Sequence, residues 1–491
     1  MPILDQYGSP IASPRANPFK RVLAKYDAAQ TSEENLRHWS WEDSLSADAA
    51  NSPEVRRKLR QRSRYEVANN AYCRSMIETI AADVIGTTPR IQIRTGNRTT
   101  DAYIEREFTA WAFEIDLGRK LRTMRKAKAQ DGEGIGLTTT KQRLPTPVKL
   151  HLRIIETEML ATPDRWIADR NSVDGVVFDE DGDPLRYHIL REHPGGGDGF
   201  RMSVSEYDSY PASRVTHVFR ADRPGQHRGI PETMPALRLF AQLRRYTLAV
   251  LAAAETAADF AAVVQTSQPP GTGFDTSTGL QAGNTEVESM DVFELAQRMV
   301  TVLPEGYQLG QIKAEQPTTT YGDFKREILG EAFAAMVMPY NVGAHDSSEF
   351  NYASGKLDRL TYSRTITIER SEWVRHCVWR LFLAWFDEAA MIPGYLPEGI
   401  PPITQWRWLV HWDGVEDIDP VKAANSAKTL VEAGLLSEAD YQAGKGRDWE
   451  EHEAQRADEL GVSVEEFRRL KREKLYGAPQ AQQQPAGTDA G

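Results

Sequence analysis

TTTYGDFKREILGEAFAAMVMPYNVGAHDSSEFNYASGKLDRLTYSRTITIERSEW, residues 318–373, decides how this chain is read. Thr320 is placed to cap a helix whose apolar positions Phe324, Ile328, Phe333 and Val337 recur at helical spacing. Pro339 disfavours helix at Met338, so the helix should stop there. The polar run NVGAHDSSEFNYASG is built from residues that bond their own backbone or tolerate left-handed conformations, and reads as a hinge. A second helix should start near Ser354 and run to about Ala390. That is far longer than the mean globular helix of about 11–12 residues. Its first half is dominated by Lys356, Arg359, Arg364 and Arg370. Its second half carries Trp373, Cys377, Trp379, Leu381, Phe382, Trp385 and Phe386, which predicts burial on most faces.

Outward from this stretch, Ser52 caps a helix with Pro53 at its first position, and the run continues to Gly86 with an apolar stripe of Tyr72, Met76, Ile80 and Val84. Amphipathic helices follow over about Thr100–Trp111 and Leu117–Gln130, and DGEGIGLTTT turns the second into a strand. Between Lys149 and Phe219 short apolar runs alternate with turns, and VVFDEDGDPLRYHIL predicts a hairpin bending at Asp-Gly. A helix should start at Pro231 and Pro235 and reach Gln265. The turn-rich TSQPPGTGFDTSTGLQAGN comes next. After the long helix, IPPITQWRWLVHWDG supplies an aromatic strand. Asp419 with Pro420, Ser437 with Asp440, and Ser463 with Glu466 then mark helix starts, and Gly434 marks a stop.

The order of these elements, together with RSRYEVANNAYCRSMIETIAADVIGT near the N-terminus, whose Arg-rich start leads into an Asn-Asn turn and a helix ending in Gly, resembles the portal proteins of tailed bacteriophages, in particular the lambda-type family. The resemblance implies an α+β, portal-type architecture. It would comprise an N-terminal arm (1–50), a wing with a mixed or antiparallel β unit (51–230), paired stem helices (231–265 and 318–339) and a clip (266–317). A tunnel loop (340–353), a long spanning helix with a wing strand (354–415), a helical crown (416–476) and a disordered tail (477–491) would complete it. It also implies a ring, usually dodecameric, at one capsid vertex, through which double-stranded DNA is packaged and ejected. The implied partners are further copies of the chain, that DNA, the terminase large subunit, capsid and scaffold proteins, and head–tail adaptors. The implied place is the virion, after assembly in the host cytoplasm. By the same resemblance Asn341, His345, Asp346, Ser347, Ser348, Glu349, Phe350 and Asn351 line the DNA channel, with Lys356 and Arg359 close to it. His345, Asp346, Ser347, Ser348 and Glu349 are short, polar and of mixed charge, and so offer no persistent phosphate clamp.

Composition is consistent with that reading and does not compel it. Of 491 residues, 40% are apolar and 26% charged, with a net charge of −11. A protein that grips DNA statically carries a positive excess, whereas a conduit is served by weak attraction. Two basic clusters stand out: Arg56, Arg57, Lys58, Arg60, Arg62 and Arg64, and then Arg119, Lys120, Arg122, Arg125, Lys126 and Lys128. They read as phosphate contacts or, preferably, as a solvated face or salt bridges to an acidic neighbouring subunit. Cys73 and Cys377 read as buried apolar residues. The most apolar window, YTLAVLAAAETAADFAAVVQ, contains Glu255 and Asp259 and reads as a packed helix rather than a membrane span.

No catalytic, cofactor or metal site is expected. Gly355-Lys356 and Gly444-Lys445 lack the rest of a phosphate loop. DEDGDP has Pro184 and Leu190 where a calcium loop needs glycine and glutamate. His452-Glu453 lacks the second histidine of a zinc-protease helix. The rival readings are a DNA-processing enzyme such as a terminase or nuclease, and a smaller head–tail adaptor or capsid component.

Overall fold

The computed structural model describes residues 37–39, 43–162, 171–196, 206–259, 263–266, 307–310, 321–414 and 419–476. The expectations for the N-terminal arm before residue 37, for Thr320, for most of the 266–317 segment and for the tail fall outside them.

Two helices, α1 (Pro53–Asn69) and α2 (Ala71–Ile85), replace the single run expected from Ser52 to Gly86. Asn70 breaks the run because its side chain accepts from the amides of Tyr72 and Cys73 and so caps α2. Strand β1 (Arg90–Arg94) leads into α3 (Arg98–Glu114) and α4 (Leu117–Asp131). Cys73, Met76, Ile77, Ile80 and Val84 of α2 pack with Ile104, Phe108 and Trp111 of α3 and with Leu121 and Met124 of α4 in the main core.

Among the described residues, the β region has two antiparallel sheets. β2 (Glu133–Thr140) lies between β3 (Leu150–Ile155) and β8 (Val215–Phe219). β4 (Ser172–Val173), β5 (Val176–Phe178), β6 (Pro184–Leu190) and β7 (Tyr207–Pro211) follow one another in the second sheet. The Asp-Gly hairpin forms between β5 and β6, with Gly182 at φ 85°. A second, smaller core joins the sheets through Ile135, Leu137, Ile155, Val176, Tyr187 and Ile189.

Helix α5 (Leu237–Asp259) is shorter than expected at both ends. Met234–Ala236 form a 3-10 turn, and Val263–Thr266, expected in part as helix, form β9, paired with β10 (Tyr307–Gly310). Antiparallel pairing across the intervening chain overrides the helix expected there. Helix α6 (Tyr321–Ala334) packs on α5, with Phe324 4.9 Å from Tyr246 and Tyr321 Oη 3.0 Å from Thr247 Oγ1.

The long helix, α7, exists as one continuous element. Tyr352–Trp373 passes through a wider π turn, Val374–Val378, into Trp379–Ala390. Its aromatic half is buried as expected: Trp373, Cys377, Phe382 and Trp385 are inaccessible, and Phe382 and Trp385 meet Phe108 edge-on. Strand β11 (Arg407–His411) pairs with β1, and Trp408 stacks on Trp379 at 4.1 Å.

The C-terminal helices are α8 (Pro420–Glu432), α9 (Glu438–Gly444), α10 (Trp449–Leu460) and α11 (Val464–Tyr476). Their expected caps all form: Asp419, Ser437 and Ser463 accept from the amides of Lys422, Asp440 and Glu466. Polar bonds clamp this section to β1, from Arg90 to the Gly446 carbonyl and from Gln92 to the Asp448 carboxylate. Among the described residues, no helix is long and apolar enough to cross a membrane.

Candidate functional site

The hinge between α6 and α7 is built by three local devices. First, α6 ends in a Schellman motif: the amide of Met338 reaches the Phe333 carbonyl at 3.1 Å, and that of Val337 reaches Ala334 at 3.0 Å. The left-handed residue that this motif requires is Val337, at φ 54°. Glycine is usual at that position. The helix therefore stops a turn before Pro339, and two of the four expected apolar anchors are exposed. Phe324 and Val337 face out, while Leu329, Ala332, Phe333 and Met336 are buried.

Second, Pro339 starts a single turn, Tyr340–Gly343, pressed onto the Phe333 ring. A Cβ on Gly343 would lie 2.6 Å from that ring, so only glycine fits. Ser75 of α2 donates to the Gly343 carbonyl at 3.1 Å, and Thr79 lies 3.2 Å from Nε2 of His345, itself left-handed at φ 53°.

Third, Asn351 caps α7 by accepting from the Ser354 amide at 2.9 Å, so the helix begins at Tyr352 rather than Ser354. Between these fixed ends, Asp346 accepts from the Ser348 amide at 3.0 Å, a bond that holds its carboxyl below the usual range. Arg326 of α6 pairs with Glu349, and its guanidinium lies over the rings of Tyr340 (4.9 Å) and Phe350 (5.7 Å). The structure thus brings Asn341 to Asn351 together as one surface loop, with His345, Ser347, Ser348, Glu349 and Asn351 exposed. Asn341, Asp346 and Phe350 are half-buried. Lys356 and Arg359 lie exposed on the first turns of α7.

The sequence reading missed what shares this part of α7. Tyr362, Ile366, Glu369 and Trp373 turn inward, but Leu357, Leu360 and Ile368 are 65%, 58% and 59% exposed. Their spacing of three and eight residues was a readable signal, obscured by the arginines between them.

The basic clusters are largely internal, and the partners lie in the same chain. Arg56 pairs with Asp174, and Arg64 is bidentate on Asp131 at 2.7 and 3.0 Å. Arg125 and Lys128 reach Glu369 of α7, each at 3.0 Å, and Arg125 also reaches Glu232 at 2.9 Å. Glu133, fully buried, accepts from Arg228 at 2.7 and 2.8 Å and from the Gly229 amide at 2.7 Å. Burial alone would raise this carboxyl. The Arg228 charge and hydrogen bonds, with His217 beside them, outweigh burial and hold it well below the usual range. Only Arg57, Lys58 and Arg62 of the first cluster, and Arg119 and Lys126 of the second, keep exposed side chains. Lys126 pairs with Glu78, and Arg119 with Asp116.

One group among the described residues gathers metal-ligand types: Glu156, Glu158 and His193. The Gly195 amide donates to His193 Nδ1 at 3.0 Å, which leaves the ring proton on Nε2. Nε2 points at Glu158 (2.9 Å) and Glu156 (3.1 Å), and Arg64 occupies the same Glu158 oxygen at 3.0 Å. This arrangement is a hydrogen-bonded clasp in which His193 and Arg64 share one oxygen of Glu158.

The fold is a helical body with small antiparallel sheets and a polar loop that joins α6 to the long helix α7. Residues 33–370 match the family described as "Phage portal protein, lambda family". The chain belongs to the lambda family of phage portal proteins and is a structural portal subunit. It is 27% identical over 459 residues to the "Probable portal protein" of Halomonas phage phiHAP-1, an alignment covering 85% of this chain and 82% of that one. Two solved structures show a remote likeness. The first, "Neck of native GTA particle computed with C12 symmetry", is 13% identical with a TM-score of 0.44, covering 81% of this chain and 94% of that one. The second, "Virion of native gene transfer agent (GTA) particle", is 14% identical with a TM-score of 0.41 and the same coverage.

Proposed function

We propose that copies of this chain close side by side into a ring, that double-stranded DNA passes through its bore during packaging and ejection, and that the Asn341–Asn351 loop projects into that bore. The ring would occupy one capsid vertex of the virion, against capsid and scaffold proteins. It would seat the terminase large subunit during packaging and head–tail adaptors afterwards. In this reading α5 and α6 lie in the stem, residues 266–317 are the clip, and α8–α11 are the crown.

The observation that supports the reading is a set of apolar side chains left uncovered among the described residues. Leu357, Leu360 and Ile368 stand exposed on the very helix that the loop precedes. Helix α8 buries none of its residues, and Val421 within it and Leu435 just beyond its end are exposed. Helices of this length owe their stability to packing, so these faces call for a covering surface. A heterologous side-to-side contact that closes by rotation supplies one to every copy.

The test is negative-stain imaging and native mass measurement of the purified chain, with a variant shortened across Asp346–Phe350. Rings should form in both, and the shortened variant should package or retain DNA poorly. A monomer at high concentration, or a loop variant that fails to assemble, would overturn the respective half of the reading. Turnover of DNA with Mg²⁺ would favour an enzyme instead.

A further inference from the structure

We infer that the C-terminal helices α8–α11 are a movable unit, fastened to the body by a polar joint that loosens when the Glu105 carboxyl ionises. Among the described residues, no apolar side chain of 419–476 enters either of the two cores. Helices α9, α10 and α11 pack on one another instead, around buried Glu453 and Ala457. Glu453 takes Arg468 at 2.8 Å and Lys471 at 3.1 Å, both from within the unit. Apolar burial is the main adhesive of a folded chain, and this joint has little of it. What fastens the unit is a short row of polar bonds: Arg90 to the Gly446 carbonyl, Gln92 to Asp448, and Arg98 to Glu450 at 3.1 Å. Backbones touch beside them, since a Cβ on Gly414 would lie 2.3 Å from the Lys445 carbonyl carbon. A cleft of about 480 Å³, lined by Arg90, Asp448, His452 and Arg456 among others, opens along the same row.

Carboxylates crowd this joint. Glu105 of α3 accepts from the Ile93 amide at 2.6 Å, next to Gln92 on β1. Asp101 on the same helix faces it, as do Asp448 and Glu450 at the start of α10. The cations nearby are poorly placed to balance a fourth charge. Arg94 and Arg98 reach Glu450 at 4.0 and 3.1 Å from half-exposed positions, where water screens them. Arg90 is committed to the Gly446 carbonyl. His411 of β11 holds Gln92 at 3.1 Å, and burial lowers its pKa, so it is neutral where Glu105 titrates. Burial, ahead of Asp448, Asp101 and Glu450, pushes the Glu105 carboxyl up to about 8. When it ionises, the repulsion falls on Asp448 and Glu450, which belong to the movable side, and on Asp101, which shares a helix with Glu105 and stays. Asp448 also caps α10 through the amides of Glu450 and Glu451, so the helix start leaves with it. Freed into water, Glu105 titrates near the ordinary value of about 4.3. The closed joint therefore holds the proton better. It is firmest below about pH 4.3, weakens by up to about tenfold per pH unit above that, and levels off above about pH 8.

Distances between spin labels on the full chain test this, with labelled copies diluted among unlabelled ones. The labels sit at Ala102→Cys on α3 and Asp458→Cys on α10, both exposed positions, while Cys73 and Cys377 are buried and stay unlabelled. As pH rises from 5 to 9, a longer distance should grow at the expense of the shorter one. Their ratio should climb by up to about tenfold per pH unit and level off near pH 8. Glu105→Gln copies the protonated form and should keep the shorter distance throughout. Asp101→Asn removes one facing charge and should move the levelling-off point to lower pH. A wild-type distance that ignores pH would overturn the proposal, as would a Glu105→Gln variant that opens like wild type. If Glu105→Gln does not fold, an Asp101→Asn profile identical to wild type does the same. A second pair, Ala102→Cys with Met391→Cys at the exposed end of α7, lies wholly within the body and should hold one distance at every pH. Lengthening there as well would mean general unfolding, and the joint would not be the element that yields.

Discussion

Replacing Glu133 by glutamine tests whether buried ion pairs hold the β region to the helices. Glu133 is wholly inaccessible, and its two oxygens take three short donors, two from Arg228 and one from the Gly229 amide. Glutamine keeps the shape but turns one oxygen into a donor facing Arg228, and it removes the charge. Arg228 is then left deeply buried with Asp174 as its charge partner, at 3.1 Å, and Asp174 is already shared with Arg56. Breaking one side of a buried pair costs about 3–5 kcal/mol. For a cooperatively unfolding unit of this kind that is on the order of 10 °C in Tm. The assay is thermal unfolding by circular dichroism at fixed protein concentration. The sign with pH follows from the depressed carboxyl. The unfolded chain takes up a proton first as acid is added, so the wild-type advantage is full above about pH 4.3 and shrinks below it. Adding Arg228→Met to Glu133→Gln should recover at least half of the loss, because no lone charge remains. A shift under about 2 °C for the single variant, or a double variant no better than the single, would refute the reasoning.

Three further outcomes are expected. Glu105 lies where α3 meets the C-terminal clamp, and burial, followed by Asp448, Asp101 and Glu450, pushes its carboxyl up to about 8 against the Ile93 amide bond that lowers it. The folded state therefore holds this proton longer than the unfolded one, stability falls as pH rises toward 8, and Glu105→Gln should flatten a chemical-denaturation series taken between pH 5 and 9. Gly229→Ala would set a Cβ 2.2 Å from the Gly132 carbonyl oxygen and should yield insoluble protein. Gly225→Ala, where nothing lies within 4 Å, should cost only about 1 kcal/mol for its positive φ, as expression trials and melting would show. Cys73 and Cys377 are buried, their thiols pushed up to about 12, so Ellman's reagent should find no reactive thiol in native protein at pH 7.5 and two after denaturation.

How much of this was legible follows from how local each signal is. The caps at Ser52, Asp419, Ser437 and Ser463 were readable because donor and acceptor lie within three residues. The burial of Trp373, Cys377 and Trp385 was readable because a helix apolar on most faces has only one solution. The break at Asn70 was legible only through the resemblance, as an Asn-Asn turn, and the residue pattern alone read one run from Ser52 to Gly86. Val263–Thr266 could not be read as strand, since their pairing partners at Tyr307–Gly310 lie far along the chain. The hinge was legible as a loop from its composition. Its ion pair was not, because Arg326 carries no mark of a partner twenty-three residues on. The same distance hid the destination of the basic clusters: Arg125 meets Glu369 244 residues away.

That destination changes what the charge of the chain means. In α1 the inward arginines fall at 56, 60 and 64, one every four residues, and the exposed ones at 57, 58 and 62, so the cluster straddles two faces of one helix. In α4 the inward set is Lys120, Arg125 and Lys128, all buried, and the last two are neutralised by Glu232 and Glu369. Each neutralised pair is a phosphate contact the protein does not make. Phosphate affinity scales with the number of cations left free, each adding about one counterion to the salt dependence. A subunit that places its most concentrated positive charge in staples between α4, α7 and the β region gains a rigid body and surrenders grip. A static DNA binder would be poorly served by that exchange. A wall past which a duplex has to slide loses nothing by it, and the mixed, short side chains of the 341–351 loop follow the same logic at the one place where contact is proposed.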